Sequence, residues 1–200
     1  IIPRGKDQLK TGDLVYFIAQ SDKLDETLET FEKKVEPLHR TMIVGGGRLG
    51  YRLATALENK EGVSCKIIEK DPERCEFLAE HLNKAVVLYG DGSDRDLLLE
   101  ENVGDMDVVI TLTSDEETNI LASLLTRRLG ARKCITKISK FRYFPLLNTI
   151  GIEQVVSPRL SAIDSILQHV RRGKVLSSVS FKGEQAEVME AVALETADIV

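Results

Sequence analysis

Between residues 40 and 157, short apolar runs alternate with longer stretches whose apolar residues return every three or four positions. The runs predict strands at Thr41–Gly45, Ser64–Glu69, Ala85–Tyr89, Asp107–Leu112, Cys134–Ile138 and Glu153–Val156. The stretches between them predict helices. Leu49, Leu53, Ala56 and Leu57 form one apolar stripe, and Leu121, Leu124 and Leu125 form another. Strand–helix repeats with short connections imply a parallel sheet covered on both faces, because neighbouring parallel strands are joined by crossovers. The expected fold class is α/β: a Rossmann-type doubly wound parallel sheet with flanking pieces of small α+β subdomains.

The flanks read differently. Residues 1–36 predict strand, turn, strand and helix, with Leu14–Ile18 as a buried strand. Asp22 is expected to cap the helix, Leu24, Leu28, Phe31 and Val35 to share one face, and Pro37 to end it. This piece is too small to fold alone and looks like the end of a preceding domain. Residues 158–172 predict an amphipathic helix with Leu160, Ile163, Ile166, Leu167 and Val170 on one side. Arg171 and Arg172 suit the negative end of its dipole, and Gly173 a left-handed cap. Residues 174–200 then predict two strands, Val175–Phe181 and Val188–Leu194, joined by a turn at Gly183-Glu184. That makes four parts: 1–36, 40–157, 158–172 and 174–200. With Ile at its start, the chain reads as a fragment of a longer polypeptide.

Composition narrows the function classes. A net charge of −5 supplies no basic excess for phosphate-backbone binding, which counts against nucleic acid. No apolar run approaches the ~20 residues of a membrane span. Cys65, Cys75 and Cys134 are scattered and odd in number, which fits unpaired thiols in a reducing cytoplasm. His39, His81 and His169 lack metal-ligand spacing, so no metal site is expected.

The chemistry concentrates at one turn. Gly45, Gly47 and Gly50 make GxGxxG between a predicted strand and a predicted helix, and Glu69 ends the next strand nineteen residues past Gly50. That context is what a dinucleotide-binding turn requires. Gly45 permits the tight turn, Gly47 lets phosphate oxygens approach the backbone, and Gly50 lets the helix pack on the sheet. The N–H groups of the Gly46-Gly47-Arg48-Leu49 segment open the helix toward an anion. Arg48 is placed to meet a terminal phosphate. Glu69 is expected to accept from the ribose hydroxyls and so to disfavour a 2′-phosphate, an exclusion softened by Lys70 and Arg74. Asp71-Pro72-Glu73 reads as a helix start. After the third strand, Gly92 and Asp91 border the adenine pocket, with Asp91 on the adenine amine or capping the next helix. After the fourth, Thr111 and Thr113 border ribose or phosphates, and Ser114 or Asp115 caps a helix. Lys137, ending the fifth strand, faces phosphate or solvent.

The series Ile43–Gly50, Ile68–Cys75, Gly90-Asp91-Gly92 and Thr113–Asn119 resembles the RCK/KTN family along essentially the whole chain. The resemblance implies a non-enzymatic, cytoplasmic regulatory subunit at the inner face of the cell membrane. It implies NAD(H) or ATP/ADP as ligand, a membrane potassium transporter as partner, and homodimers assembled into rings. It also implies that residues 40–157 are the second nucleotide-binding unit, with 1–36 the end of the first unit and 174–200 the start of a further subdomain. Two other functions compete. A nicotinamide-dependent oxidoreductase needs an acid–base group at a carboxyl strand end, and no histidine is expected there. A DNA-binding redox regulator needs a basic reading helix, which the charge balance does not supply.

Overall fold

A computed structural model describes residues 37–147, 149–152 and 154–170, the strands 174–181 and 186–192, and residues 5–8, 10, 13, 15 and 19–30. It divides into two units, Ile1–Pro37 and Leu38–Val200. In the first, a 3-10 turn (Ser21–Lys23) leads into α1 (Leu24–Thr30). The turn starts at Gln20 without a side-chain cap, and Asp22 lies inside it. Asp22 is therefore not the cap; a first-turn acid instead faces the positive end of the helix dipole. Of the predicted buried strand at Leu14–Ile18 only Val15 is described, and it is exposed and outside any strand; the helix positions Phe31 and Val35 lie outside the described residues.

The second unit alternates strand and helix: β1 (Arg40–Val44), α2 (Arg48–Glu58), β2 (Ser64–Glu69), α3 (Pro72–His81), β3 (Val86–Tyr89), α4 (Arg95–Glu100), β4 (Val108–Thr111), α5 (Glu116–Arg128), β5 (Cys134–Lys137), α6 (Phe144–Leu147) and β6 (Gln154–Val156). The six strands pair in parallel in the order β3-β2-β1-β4-β5-β6. The order reverses between β1 and β4, which opens a crevice above their carboxyl ends.

Both sheet faces are buried, as a parallel sheet demands. Met42, Val44, Ile68 and Val109 pack on one face with Leu98 and Ala122, while Ile43 and Ile67 pack on the other with Ala54, Leu57 and Leu78. Burying each such large side chain is worth roughly 1.5–3 kcal/mol.

The helices are rotated from the predicted stripes. α2 turns Gly50, Ala54 and Leu57 inward and leaves Leu49 45% exposed. α5 turns Asn119, Ala122, Ser123 and Thr126 inward and leaves Leu121 55% exposed. Small side chains let a helix approach the sheet closely, and the larger leucines then lie at the flanks.

α7 (Pro158–Val170) leads to an antiparallel pair, β7 (Lys174–Phe181) and β8 (Ala186–Val192), with a register shift between Val175 and Ser177. Ile163 and Ile166, predicted on the apolar side of α7, are exposed. Arg171, Arg172, Gly173, the Gly183-Glu184 turn and Leu194 lie outside the described residues.

Candidate functional site

A cleft of about 150 Å³ opens at the carboxyl ends of the central strands. Val44, Gly45 and Gly47 line it from β1 and its turn, Glu69 and Lys70 from β2, Asp91 and Gly92 after β3, and Thr113, Ser114, Asp115 and Thr118 after β4. Another cavity, of about 110 Å³, lies at the amino end of β5 beside Arg127, Cys134 and Ile152, and holds none of the chemistry expected from the sequence.

The glycine turn does what its spacing predicts. Gly45 has φ +107°, and a Cβ there would sit 2.7 Å from the Thr113 nitrogen. A Cβ on Gly50 would lie 2.0 Å from the Gly45 carbonyl oxygen, so α2 rests directly on the turn. At Gly47 a Cβ would meet nothing within 4 Å, which leaves the backbone open to an approaching group. The first helical bond of α2 runs from the Tyr51 N–H to the Gly47 carbonyl, 3.0 Å, and no side chain caps the helix. The preceding N–H groups of α2, with their partial positive charge, therefore have no partner inside the helix.

Glu69 does more than border this turn. Its Oε2 accepts the Gly46 N–H at 2.6 Å, and its Oε1 accepts those of Lys70 and Asp71 at 2.8 and 3.0 Å. The Gly46 N–H is thus spent inside the protein, and Gly46 itself is buried. Arg74 reaches the same turn from α3, donating from Nε to the Gly46 carbonyl at 2.6 Å. Two of the five N–H donors of Arg74 are thereby turned to the backbone of the glycine turn. Lys70 lines the cleft, while Arg48 and Leu49 are exposed and fall outside its lining.

Four other expected positions resolve as follows. Asp91 borders the cleft but caps nothing. Its carboxylate accepts the Ser93 N–H and hydroxyl at 2.8 and 2.7 Å, while Asp94 caps α4. Those two bonds hold the Asp91 carboxyl below the usual carboxylate range. Thr111 does not border the cleft: it is fully buried, and its hydroxyl pairs with Ser123 of α5 at 3.1 Å. The last residue of β4 points into the helix layer because both sheet faces are covered. Lys137 is half-buried, and its Nζ donates to the Thr113 carbonyl at 2.6 Å. Burial pulls its pKa below the ordinary lysine value, opposed by Glu116. Thr113 does reach the cleft, held from behind by Asn119.

Asp71 caps α3 with Pro72 following it, and Asp115 caps α5 by accepting from the Thr118 N–H, both as the sequence predicts. The bonds from Thr118 lower the Asp115 pKa. Asn119 and Arg74 are the two site-building residues the sequence leaves without this role. Asn119 is fully buried. Its Oδ1 accepts the Thr113 N–H and hydroxyl at 2.9 and 2.8 Å, and its Nδ2 donates to the Thr113 and Lys137 carbonyls, each at 3.2 Å. The signal for it is a single amide at the start of the small inward face of α5.

Among the described residues the cleft lining contains no histidine, cysteine or tyrosine. Among the described residues no three His, Cys, Asp or Glu side chains gather as a metal site, and none of their helices is long and apolar enough to cross a membrane.

Residues 41–158 match the TrkA-N domain family. The chain is 38% identical over 198 residues to the Trk system potassium uptake protein TrkA of Azorhizobium caulinodans, covering 98% of this chain and 43% of that protein. It is 39% identical over 193 residues to the protein of the same name from Halomonas elongata, covering 96% and 42%. It therefore spans less than half the length of these curated relatives.

Solved structures share the fold. The TrkA-N domain of inner membrane protein ybaL from Escherichia coli superposes with TM-score 0.60 at 16% identity, over 68% of this chain and all of that one. A GsuK channel bound to NAD gives 0.56 at 20% identity, over 66% and 24%, and GsuK bound to ADP gives 0.56 at 20%, over 68% and 35%. With a family match across the central sheet and relatives above one-third identity along nearly its whole length, this chain belongs to the TrkA-N domain family.

Proposed function

We propose that this chain is the nucleotide-sensing part of a regulatory subunit for a membrane potassium transporter, with an adenine nucleotide, NAD(H) or ATP/ADP, bound over the Gly45–Gly50 turn. The observation that carries this reading is the uncapped start of α2 beside Gly47, where a Cβ would meet nothing within 4 Å, in a cleft bordered by Glu69. Diphosphate oxygens take the free N–H groups of Gly47, Arg48 and Leu49. The ribose hydroxyls donate to the lone pairs of Glu69 not used by the backbone, and the adenine lies toward Asp91 and Gly92. Gly45, Gly46 and Gly50 shape the turn, Lys70 and Thr113 border the ligand, and Lys137 acts through Thr113. A 2′-phosphate would meet the Glu69 carboxylate, so NADP is disfavoured.

The names of the relatives and the NAD- and ADP-bound channel structures support both the ligand class and the transporter partner. Regulation follows from differential binding: the nucleotide shifts the assembly toward whichever state it prefers, by no more than that preference. The chain acts at the cytoplasmic face of the membrane, as a homodimer or within a ring, without chemistry of its own.

The test is thermal unfolding of the purified chain with NAD, NADH, ADP, ATP or NADP. Ligand at one hundred times its Kd stabilises by about 2.7 kcal/mol, a readily measured rise in Tm. At least one nucleotide with an unphosphorylated ribose is expected to produce it and NADP is not. A flat series with all five ligands defeats the reading.

A further inference from the structure

The Gly46 peptide is gripped from both ends. Its N–H donates to Glu69 at 2.6 Å, and its carbonyl accepts from Arg74 Nε at 2.6 Å. A second nitrogen of the same guanidinium, Nη2, lies 3.4 Å from the Gly47 carbonyl. The arginine is itself held in place, with its Cζ 4.2 Å from the centre of the Phe77 ring and 5.8 Å from that of Tyr51. Phe77 stacks in turn on His81, centroids 4.0 Å apart. A planar fork resting on aromatic rings loses little freedom when it bonds, which suits it to fixing other groups.

We infer that Arg74 is a positioning residue for phosphate: it sets the two peptide planes whose N–H groups receive the ligand. In a planar trans peptide the C=O and the following N–H point in opposite directions. Drawing the Gly46 carbonyl toward Arg74 turns the Gly47 N–H the other way. Drawing the Gly47 carbonyl toward Arg74, and along α2 to the Tyr51 N–H, does the same for Arg48. Glu69 fixes the other end of the Gly46 residue and leaves it no freedom to flip. Two of the five N–H donors of Arg74 are committed to these carbonyls, and it lies five residues past Glu69, so the NADP arm of the test below separates positioning from reception of a 2′-phosphate.

This inference rests on the nucleotide reading above and is tested through the phosphate dependence of binding. Affinities for adenosine, AMP and ADP are measured by calorimetric or NMR titration for the wild-type chain, Arg74→Leu and Arg74→Lys, with NADP alongside and folding checked by thermal melting. Arg74→Leu is expected to weaken ADP at least tenfold while changing adenosine less than twofold. Arg74→Lys should recover part of the loss, since one ammonium reaches one carbonyl.

An equal fall for adenosine and ADP in a folded variant, or no fall in either, overturns the role. So does a selective loss of NADP binding, which would make Arg74 a 2′-phosphate receptor. Failure of the wild-type chain to bind any adenine nucleotide overturns the functional reading as well, whereas normal wild-type binding with an unaffected Arg74→Leu overturns the positioning role alone.

Discussion

On the side of the cleft where β1, β2 and β3 end, backbone donors are left open; on the side where β4 and β5 end, polar side chains draw the loops together. Both halves come from the same strand–helix repeat. In the first, the carboxylate of Glu69 and the guanidinium of Arg74 are spent on the edges of the glycine turn, leaving the N–H groups at the head of α2 facing open space. In the second, Asn119 and Lys137 are spent on Thr113, and Glu116 accepts the N–H groups of Ser139 and Lys140 at 3.0 and 3.2 Å. Strand order makes a crevice possible along the whole carboxyl edge. Which backbone groups the side chains consume decides where it stays open.

The largest effect should come from the hinge between the halves. Gly45→Ala combines a positive φ with a Cβ 2.7 Å from the Thr113 nitrogen. Backbone strain of about 1–3 kcal/mol and overpacking of similar size should together remove about 4 kcal/mol of stability, read by urea denaturation. A loss under about 1 kcal/mol would show that the turn can relax away from Thr113.

Next comes the closed half. Asn119→Ala strips partners from Thr113 and Lys137 and should cost about 3 kcal/mol, with faster amide exchange at residues 111–119. A neutral result would mean that water or neighbouring groups replace the amide. The open half should respond in the opposite sense. Gly47→Ala places its Cβ in free space, so stability should stay within about 0.5 kcal/mol of wild type. Nucleotide affinity should fall about tenfold, or 1.4 kcal/mol, because the methyl takes the room needed by phosphate. Unchanged affinity there would move the phosphate elsewhere.

The smallest effect concerns acid. The Ser93 bonds lower the Asp91 pKa below its ordinary 3.8. Their stabilisation is therefore present above pH 3.8 and is lost as the pH falls through the depressed value. Asp91→Asn keeps an acceptor for Ser93 but removes the charge, so the stability–pH curve should flatten slightly at its acid end. An unaltered curve would mean that Asp91 contributes nothing to acid sensitivity.

Much of this was legible in the residues alone. Each strand of the six-stranded sheet begins and ends within one position of its predicted bounds, since runs such as Thr41–Val44 and Ser64–Glu69 are apolar, short and bounded by turn residues, whereas β8 starts and ends two positions before its predicted bounds. The glycine turn and its caps follow from local chemistry and were equally plain. Helix orientation was harder to read: α5 carries more leucine on its flanks than on the face that meets the sheet, so hydrophobicity alone points the wrong way. Thr111 was misjudged because a strand buried on both faces shows no alternation to tell cleft from core. Lys137 and Arg74 have roles set by partners 24 and 28 positions distant in the chain, and Asn119 ties Thr113, six positions back, to Lys137, eighteen positions on; no local pattern carries that information.

The clasp of Glu69 on the Gly46 N–H has one more consequence. An anion belonging to the protein already does part of the work of shaping the turn, so the seat has its form before any guest arrives. Little order is left for binding to create, which favours quick and tight capture. Under the proposed nucleotide reading, a turn already in shape would add little motion of its own, and the signal would pass through what the ligand touches beyond this cleft.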